Sequence, residues 1–417
     1  MEKPRFKVII IGGSIAGLTL AHCLELANVD FIVLEKHHDL LATIGGSVGL
    51  MPNGYRILDQ LGIYHQLQGV ACPIRLSALG AHSTAIDRNS DGVSVFTDSR
   101  TRFNGDLVVG ADGVHSVTRS QMWHVANSVD AGLVTEKEMH VLRAEYVCLF
   151  GISRPVDGIN PGDQIISCYD NKSILVFPSK DASIGWALIK KLDRGYILPD
   201  SALLSNAEVQ TMGQAAADLT IYRDVRFRDL WIRTPRYSTT LLQEGLLDTW
   251  HYGRIVCVGD SVSKMTPNIA QGANTAIEGA AALANIVRKI SRMPEISEDH
   301  MNNLLQGYAQ NQRKRLRVLH AISRSATRTH TRRNWMTKFI GRYVYPYTPN
   351  AASRTFGKII VEAPFLDYVP LQALCRDGWE TPSESPGITQ ITIICVVLII
   401  IVAYAVSFSL RARSSGI

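Results

Sequence analysis

The first stretch of the chain with a regular hydrophobic pattern is residues 6–36, FKVIIIGGSIAGLTLAHCLELANVDFIVLEK. An apolar run of strand length is followed by a glycine turn. Apolar residues then recur at helical spacing, and a second apolar run ends at Glu35. This order predicts a β–α–β unit with two parallel strands. The turn after the first strand then lies at the carboxyl edge of the sheet, where ligands bind in such folds.

The middle of the chain has a different period. Residues 162–192, GDQIISCYDNKSILVFPSKDASIGWALIKKL, alternate apolar and polar positions in short runs separated by turn residues. Alternation of this kind is typical of strands in an antiparallel sheet with one face buried. Tyr169 lies on one of these runs. It is a candidate for a polar contact inside a ligand pocket, and a half-buried sheet tyrosine is the alternative.

The end of the chain carries the strongest hydrophobic run. Residues 388–410, ITQITIICVVLIIIVAYAVSFSL, contain no charged side chain over 23 positions. A run of this length spans a bilayer as a helix. We therefore expect one C-terminal transmembrane helix and a single-pass membrane protein, in the endoplasmic reticulum with the bulk of the chain in the cytosol. An apolar terminal core segment is the alternative.

A long basic stretch precedes that run. In residues 308–344, apolar positions at Leu316, Leu319, Ile322 and Ala326 recur at helical spacing while arginines fill the other face. The pattern predicts a helix whose basic face is solvated or lies on anionic membrane lipid.

Composition and charge narrow the function classes. The chain has 417 residues, of which 46 % are hydrophobic and 19 % charged, with a net charge of +6. Basic residues are scattered through the first two thirds and no zinc-ligand or RNA-binding signature is present, so we expect no nucleic-acid partner. The seven cysteines lack CxxC spacing and are odd in number, which indicates neither a metal site nor a disulfide framework.

The glycine turn is the first candidate for chemistry. It reads Gly12-Gly13-Ser14-Ile15-Ala16-Gly17, and Glu35 follows about 20 residues later. Glycines at Gly12, Gly13 and Gly17 let the chain turn tightly and let a pyrophosphate approach the helix N-terminus. A carboxylate at the end of the next strand can accept hydrogen bonds from a ribose hydroxyl. The unit predicts dinucleotide binding, and a structural β–α–β unit without ligand is the alternative.

Two further motifs follow apolar strands. GDLVVGADGVHSVTRSQMW carries Asp112-Gly113, and RIVCVGDSVSKMTPN carries Gly259-Asp260 before a helix rich in small residues. With the glycine turn, these motifs resemble those of the FAD-dependent hydroxylases and epoxidases of the p-hydroxybenzoate hydroxylase and squalene epoxidase type. GADGVHS, GDSVSKMTPN and AEYVCLFGIS are most similar to fungal epoxidases that act on meroterpenoids and indole diterpenes (the paxilline type). The resemblance covers residues 6 to about 375.

The resemblance implies a cofactor and its contacts. FAD would be held by Gly12, Gly13, Gly17 and Glu35, by Asp112 and Gly113, and by Asp260, whose carboxylate would bind a ribityl hydroxyl. Backbone N–H groups of Gly272 and Ala273 would face the flavin, and Gly49, in GGSVGLMPNG, would make a second contact. NADPH would bind only transiently as the reductant, with O2 as co-substrate.

The motifs and periods together predict a fold and its boundaries. We expect an α/β protein with a Rossmann-like FAD-binding domain, an antiparallel sheet substrate domain and one C-terminal transmembrane helix. The predicted ranges are 1–125 (first part of the FAD-binding domain), 126–245 (substrate sheet), 246–345 (second part, with the basic helix), 346–387 (C-terminal segment and linker) and 388–410 (transmembrane helix).

The function expected from this resemblance is epoxidation of a terminal prenyl alkene on a small lipophilic terpenoid, with no obligate protein partner. A ring hydroxylase of the same flavin class is the nearer alternative. The segment before Asp112 is several dozen residues shorter than the family pattern. A pseudoenzyme that has lost FAD is therefore the alternative from a different class.

Overall fold

A five-stranded sheet and a six-stranded sheet organise the chain in the structure. The structure is a computed structural model that describes residues 6–37, 48–63, 66–67, 83–89, 92–97, 101–161, 164–197, 204–339, 359–360 and 362–371. In chain order, the strands are β1 (Lys7–Ile11), β2 (Asp30–Leu34), β3 (Ser83–Asn89), β4 (Gly92–Thr97), β5 (Arg102–Gly105), β6 (Leu107–Gly110), β7 (Arg143–Ser153), β8 (Ile165–Tyr169), β9 (Lys172–Pro178), β10 (Ile184–Ile197), β11 (Thr220–Tyr222), β12 (Val225–Arg226), β13 (Arg236–Leu246), β14 (His251–Tyr252), β15 (Ile255–Cys257) and β16 (Ser263–Lys264). The α-helices are α1 (Ile15–Leu26), α2 (Pro52–Gln60), α3 (Val117–Val129), α4 (Glu136–Met139), α5 (Asn206–Gln214), α6 (Phe227–Trp231), α7 (Gly272–Ser291), α8 (Glu298–His330) and α9 (Trp335–Phe339).

The five-stranded sheet has the order β14-β15-β6-β1-β2. β1 pairs in parallel with β2 and with β6, and β15 pairs in parallel with β6. Ile9, Ile10, Val108 and Val256 on these strands are fully buried, because helices and loops cover both faces. Continuous apolar runs are typical of parallel strands in that position. The predicted β–α–β unit, and with it the α/β part of the predicted fold, is confirmed.

The six-stranded sheet is antiparallel in the order β16-β13-β7-β10-β9-β8. One face packs against α5 and α6 through Val147, Leu149 and Trp186. The other face is a smaller apolar surface, which we call the Tyr146 face; it consists of Tyr146, Cys148, Phe150, Leu175, Phe177, Ala187, Ile189 and Leu242. The alternation that predicted these strands therefore separates two apolar layers.

β13 lies near one edge of this sheet. Its only partner on the outer side, among the described residues, is β16, which pairs with Gly245 and Leu246. The first part of β13 is solvent-exposed at Arg236, Tyr237 and Ser238. The long strand therefore has an outer edge without a described strand partner before Gly245.

The basic stretch forms α8, the longest helix of the described chain. Its arginines meet acidic residues of other elements. Arg328 contacts Glu145 and Glu244 of the six-stranded sheet at 3.0 and 2.9 Å, and the Arg313 guanidinium pairs with Asp248. Ion pairs within the chain therefore account for part of the basic face, and α8 joins the two sheets.

The predicted transmembrane helix is corrected by the structure, together with the single-pass membrane location that depended on it. Within the part of the chain that the structure describes, no helix is both long enough and apolar enough to cross a bilayer. The physical reason is visible in the two longest helices: α8 is rich in arginine, and α7 carries Glu278, Arg288 and Lys289. Residues 388–410 themselves lie outside the described residues.

Candidate functional site

Four predicted site residues follow strands of the five-stranded sheet. Gly12 follows β1, Glu35 follows β2, Asp112 lies just after β6, and Asp260 lies just after β15. These four strands are parallel, so their carboxyl ends meet at one edge of the sheet. A crevice at this edge is where ligands bind in open α/β sheets.

The glycine turn has no room for side chains at two of its positions. Gly12 has φ +108°, and a Cβ there would overlap the carbonyl oxygen of Ala111. A Cβ at Gly17 would overlap the carbonyl oxygen of Gly12. α1 begins after Ser14 with no side-chain cap and no acidic residue in its first turn. Its N-terminal amides therefore remain available to an anionic group.

Glu35 is held against this turn. Its Oε2 accepts a hydrogen bond from the Gly13 N–H at 2.6 Å, and its Oε1 accepts one from the His37 N–H at 2.9 Å. A carboxylate has about four lone-pair sites, so Glu35 can accept further bonds from a ribose. The structure brings Gly12, Gly13 and Glu35 together.

Asp112 fixes the turn that follows β6. It accepts hydrogen bonds from the Ser116 hydroxyl at 2.6 Å and from the Thr118 N–H at 3.0 Å, which places its carboxylate at the start of α3. Gly113 has φ +78° with no atom within 4 Å of a Cβ built there. The turn therefore presents open backbone at Gly113.

Arg119, in the same motif, is a residue that the sequence analysis missed. Its side chain is buried, with Nη1 donating to the Ser261 carbonyl at 2.6 Å and Nη2 to the Val114 carbonyl at 3.0 Å. It joins the Asp112 turn to the Asp260 turn. A single arginine on a helix forms no sequence pattern from which this contact could be predicted.

Asp260 lies in a single 3₁₀ turn, Gly259–Ser261. Gly259 has φ +71°, and a Cβ there would lie 3.0 Å from the Cβ of Ala16 and 3.4 Å from that of Ala276. The turn is therefore close to the starts of both α1 and α7. The Asp260 carboxylate contacts the Lys264 ammonium and remains 35 % exposed, so it can still reach a ligand hydroxyl.

α7 begins beside this turn. Its N-cap residue, Gln271, makes no side-chain cap, and its first turn contains no acidic residue. The N–H groups of Gly272 and Ala273 have no hydrogen-bond partner among the described residues. Chain neighbours aside, a Cβ at Gly272 would meet no atom of the described residues within 4 Å. The positive end of a 20-residue helix is thus open toward the crevice.

Asn274 brings the predicted Gly49 contact to the same place. Its Nδ2 donates to the Gly49 carbonyl at 2.9 Å, and its Oδ1 accepts from the Met51 N–H at 2.8 Å. A Cβ at Gly54 would overlap the Asn274 Oδ1. The sequence analysis did not foresee this side-chain role, because the two segments are more than two hundred residues apart.

Tyr169 is not brought together with the cofactor motifs. It lies on β8, the edge strand farthest in sheet order from β16, which follows Asp260. Its hydroxyl donates to the Thr220 carbonyl, and the ring packs against the apolar layer that includes α5 and α6. Burial raises the pKa of this tyrosine. A substrate contact by Tyr169 stays a prediction.

The arrangement fits a flavin dinucleotide. Two uncapped helix N-termini suit a pyrophosphate and a flavin ring that becomes negative on reduction. Glu35 and Asp260 supply acceptors for hydroxyl groups at two ends of the crevice. The fold and the site define an FAD-binding oxidoreductase.

Comparison with known proteins gives the family. The FAD binding domain profile matches residues 5–84 and 209–321. The FAD-dependent monooxygenase sdgC of Emericella nidulans is 47 % identical, over 98 % of each chain. The FAD-dependent monooxygenase ctvC of Aspergillus terreus is 37 % identical over 90 % of each chain. The chain belongs to the family of FAD-dependent monooxygenases, and FAD is its cofactor.

Solved structures support the fold. The structure of Klebsiella pneumoniae HpxO complexed with FAD and uric acid superposes with a TM-score of 0.66 at 18 % identity, covering 86 % of this chain and 97 % of that chain. A salicylate hydroxylase substrate complex gives a TM-score of 0.61 at 16 % identity, covering 89 % and 99 %. At these identities the likeness concerns the fold alone.

The relative from Emericella nidulans also differs in length. The alignment spans 483 positions, although this chain has 417 residues in all. That relative therefore contains residues that have no counterpart here, while 98 % of this chain is aligned. A shortened segment before Asp112 stays a prediction.

Proposed function

We propose that this FAD-dependent monooxygenase epoxidises the terminal prenyl alkene of a meroterpenoid or related terpenoid in fungal secondary metabolism, using NADPH and O2. The chemistry would be supplied by bound FAD: activation of O2 with two electrons from NADPH, so that one oxygen atom reaches an electron-rich carbon and the other leaves as water. The protein contributes binding, orientation and electrostatics. Glu35 and Asp260 would hold the cofactor hydroxyls. The open N-terminus of α7 would favour negative charge on the reduced ring.

The observation that carries the proposal is the apolar Tyr146 face. Phe150, Phe177 and Ala187 on this face are partly exposed and apolar. Lys191, which pairs with Tyr146, is a charged residue at the Tyr146 end of the face. Tyr146, at one end of the face, is buried beside Thr331 and Arg328 at the end of α8, and burial raises its pKa. Since transfer of apolar surface out of water is favourable, such a face suits a prenyl chain.

No side-chain acid or base is assigned to oxygen transfer. Lys264, which contacts Asp260, and His320, which contacts Ser263 at 3.0 Å, are two described titratable side chains of this region. Burial lowers the pKa of His320 to about 4, so this imidazole is neutral at neutral pH. In this proposal the residues of the site position the cofactor, and the Tyr146 face provides apolar surface for the prenyl chain.

The test uses the purified full chain with bound FAD, supplied with a prenylated phenol and either NADPH or NADH. We expect reductant consumption that depends on the prenyl compound, and a product heavier by one oxygen atom that acid converts into a diol. Phe150→Asp and Phe177→Asp each place a charge on the Tyr146 face, so we expect both to raise KM for the prenyl compound. The absorbance of bound FAD is expected to stay at the parent value. Reductant oxidation without any oxygenated prenyl product would contradict the proposal.

The same experiment distinguishes the alternatives. A phenolic hydroxyl in place of the epoxide identifies a ring hydroxylase. The pseudoenzyme alternative is not supported, because the chain belongs to the FAD-dependent monooxygenases and FAD is its cofactor.

A further inference from the structure

α8 runs alongside the segment that connects Asp260 to α7. Ser263 contacts His320 at 3.0 Å, and Thr266 contacts the hydroxyls of Ser323 and Thr327 at 2.8 and 2.6 Å. Asn268 contacts Thr327 and His330. The segment and α8 therefore run side by side in the same direction along the chain. We call residues 259–271 the cofactor loop.

The side-chain amide of Asn268 is held at both its oxygen and its nitrogen. Its Oδ1 accepts a hydrogen bond from the Thr327 hydroxyl at 2.8 Å, and its Nδ2 lies 3.1 Å from the Nδ1 of His330. Asn268 is 8 % exposed, so water does not compete for these bonds. With Oδ1 occupied by a donor, the amide nitrogen donates to His330, and Nδ1 of the imidazole is the acceptor.

His330 is therefore in a single protonation state at neutral pH. Its proton lies on Nε2, because Nδ1 accepts from Asn268. Burial lowers its pKa to about 4, which agrees with a neutral ring. A hydrogen bond of a neutral imidazole to a buried amide is directional, and it orders both groups.

Asn268 belongs to the 3₁₀ turn Pro267–Ile269, and this turn leads directly into α7. Ala270 follows with φ +51°, a left-handed conformation that a non-glycine residue adopts only when its surroundings hold it. The next residues are Gln271, Gly272 and Ala273, whose backbone opens toward the crevice. A displacement at Asn268 would thus be passed to the start of α7 through two or three residues.

We propose that His330 is a positioning residue for FAD. Through Asn268 it fixes the Pro267–Ile269 turn and so aims the N–H groups of Gly272 and Ala273 at the flavin ring. His330 does not touch the reacting atoms. This inference rests on FAD as the cofactor and on Gly272 and Ala273 as flavin contacts. It does not depend on the substrate or on epoxidation.

The test is a set of three substitutions at His330 with matched geometry. His330→Asn keeps an acceptor oxygen near the place of Nδ1, whereas His330→Gln places its amide near Nε2, and His330→Leu has no acceptor. We expect His330→Leu and His330→Gln to weaken FAD binding about tenfold, the effect of losing one buried hydrogen bond. The same two variants are expected to make the midpoint potential of the bound flavin more negative. His330→Asn is expected to restore both properties.

The control is His300→Leu, at an exposed position in the first turn of the same helix. We expect it to leave FAD affinity and flavin potential at the parent values. Asn268→Leu is expected to lose at least as much as His330→Leu, because it also removes the hydrogen bond from Thr327. The double variant is expected to lose no more than Asn268→Leu alone, because His330 acts through Asn268.

Three results would overturn the inference: parental affinity and potential in His330→Gln, equal loss in His330→Asn and His330→Gln, or fully additive losses at His330 and Asn268. If His330→Leu fails to fold, the comparison of the Asn and Gln variants still decides. Failure of the proposed function is recognised separately, since it concerns the oxygenated product and not flavin affinity or potential.

Discussion

The Nη1 of Arg119 donates to the carbonyl oxygen of Ser261 at 2.6 Å across the carboxyl edge of the parallel sheet. The guanidinium also donates to the Val114 carbonyl and lies over the Trp123 ring at 5.2 Å. One buried cation thus holds the Asp112 turn and the Asp260 turn in a fixed relation. Both turns carry residues predicted to bind FAD, so their separation depends on this side chain.

Replacing this guanidinium tests the link. We expect Arg119→Met to lower the free energy of unfolding by about 2–3 kcal/mol, because two buried carbonyls lose a charged donor. Arg119→Lys is expected to recover only part, since one ammonium cannot reproduce the planar fork. Urea unfolding measures both, with Arg317→Met at an exposed position as the control. A parental midpoint for Arg119→Met would contradict this role.

Two glycines allow a paired test of the crevice. Gly17→Ala forces its methyl into the Gly12 carbonyl, so we expect a loss of about 1–3 kcal/mol in stability and of flavin binding. Gly272→Ala adds a methyl that meets no non-neighbouring atom of the described residues within 4 Å, so the protein without FAD is expected to melt at the parent temperature or above it. Its FAD affinity is nevertheless expected to fall, because the methyl enters space reserved for the flavin. Thermal melts and fluorescence titration measure the two effects. Unchanged FAD affinity in Gly272→Ala would place the flavin elsewhere.

Asp260 provides the most direct test of the cofactor site. We expect Asp260→Ala to weaken FAD binding by roughly 10- to 100-fold, the loss of a charge-assisted hydrogen bond of about 1.5–3 kcal/mol. Asp260→Asn is expected to be intermediate, since it keeps a neutral acceptor. Absorbance of the purified protein in the visible range gives the readout. Asp218→Ala is the surface control, because that carboxylate is 77 % exposed. Equal flavin content in Asp260→Ala and in the control would exclude the assignment.

Acid sensitivity is expected from two histidines. Burial lowers the pKa of both His320 and His330 from 6.5 to about 4. Between these values the unfolded chain binds protons that the folded chain does not, so stability falls as the pH drops from about 6.5 toward 4. Each histidine accounts for about 3 kcal/mol at most. The double variant His320→Gln, His330→Asn is expected to flatten this part of the pH profile of chemical denaturation. Parallel profiles for parent and variant would show that these imidazoles are not the cause.

The β–α–β unit of the five-stranded sheet could be predicted from local sequence. Apolar runs of strand length, a glycine turn and a carboxylate at Glu35 were enough to predict the β–α–β unit, because each depends on neighbours in sequence. The motif also predicted that Gly12 and Gly17 leave no room for a side chain, as the structure shows. The antiparallel strands also followed from alternation alone.

Long-range contacts were not accessible in this way. Arg119 contacts Ser261, and Asn274 contacts Gly49, only after the chain has folded. The spacing of residues along the sequence therefore does not predict either contact. Alternation placed Tyr169 on a strand but could not tell which sheet face it occupies. The transmembrane helix was predicted from hydrophobicity alone, and that prediction is not supported. No helix in the part of the chain that the structure describes could cross a membrane.

The outer edge of β13 has a consequence for handling this protein. Peptide N–H and C=O groups along a strand edge that lacks a partner are a template for another extended chain. Arg236, Tyr237 and Ser238 are exposed on that strand, before the two residues that pair with β16. Strand addition between molecules, and the concentration-dependent aggregation that follows from it, is therefore expected to begin there.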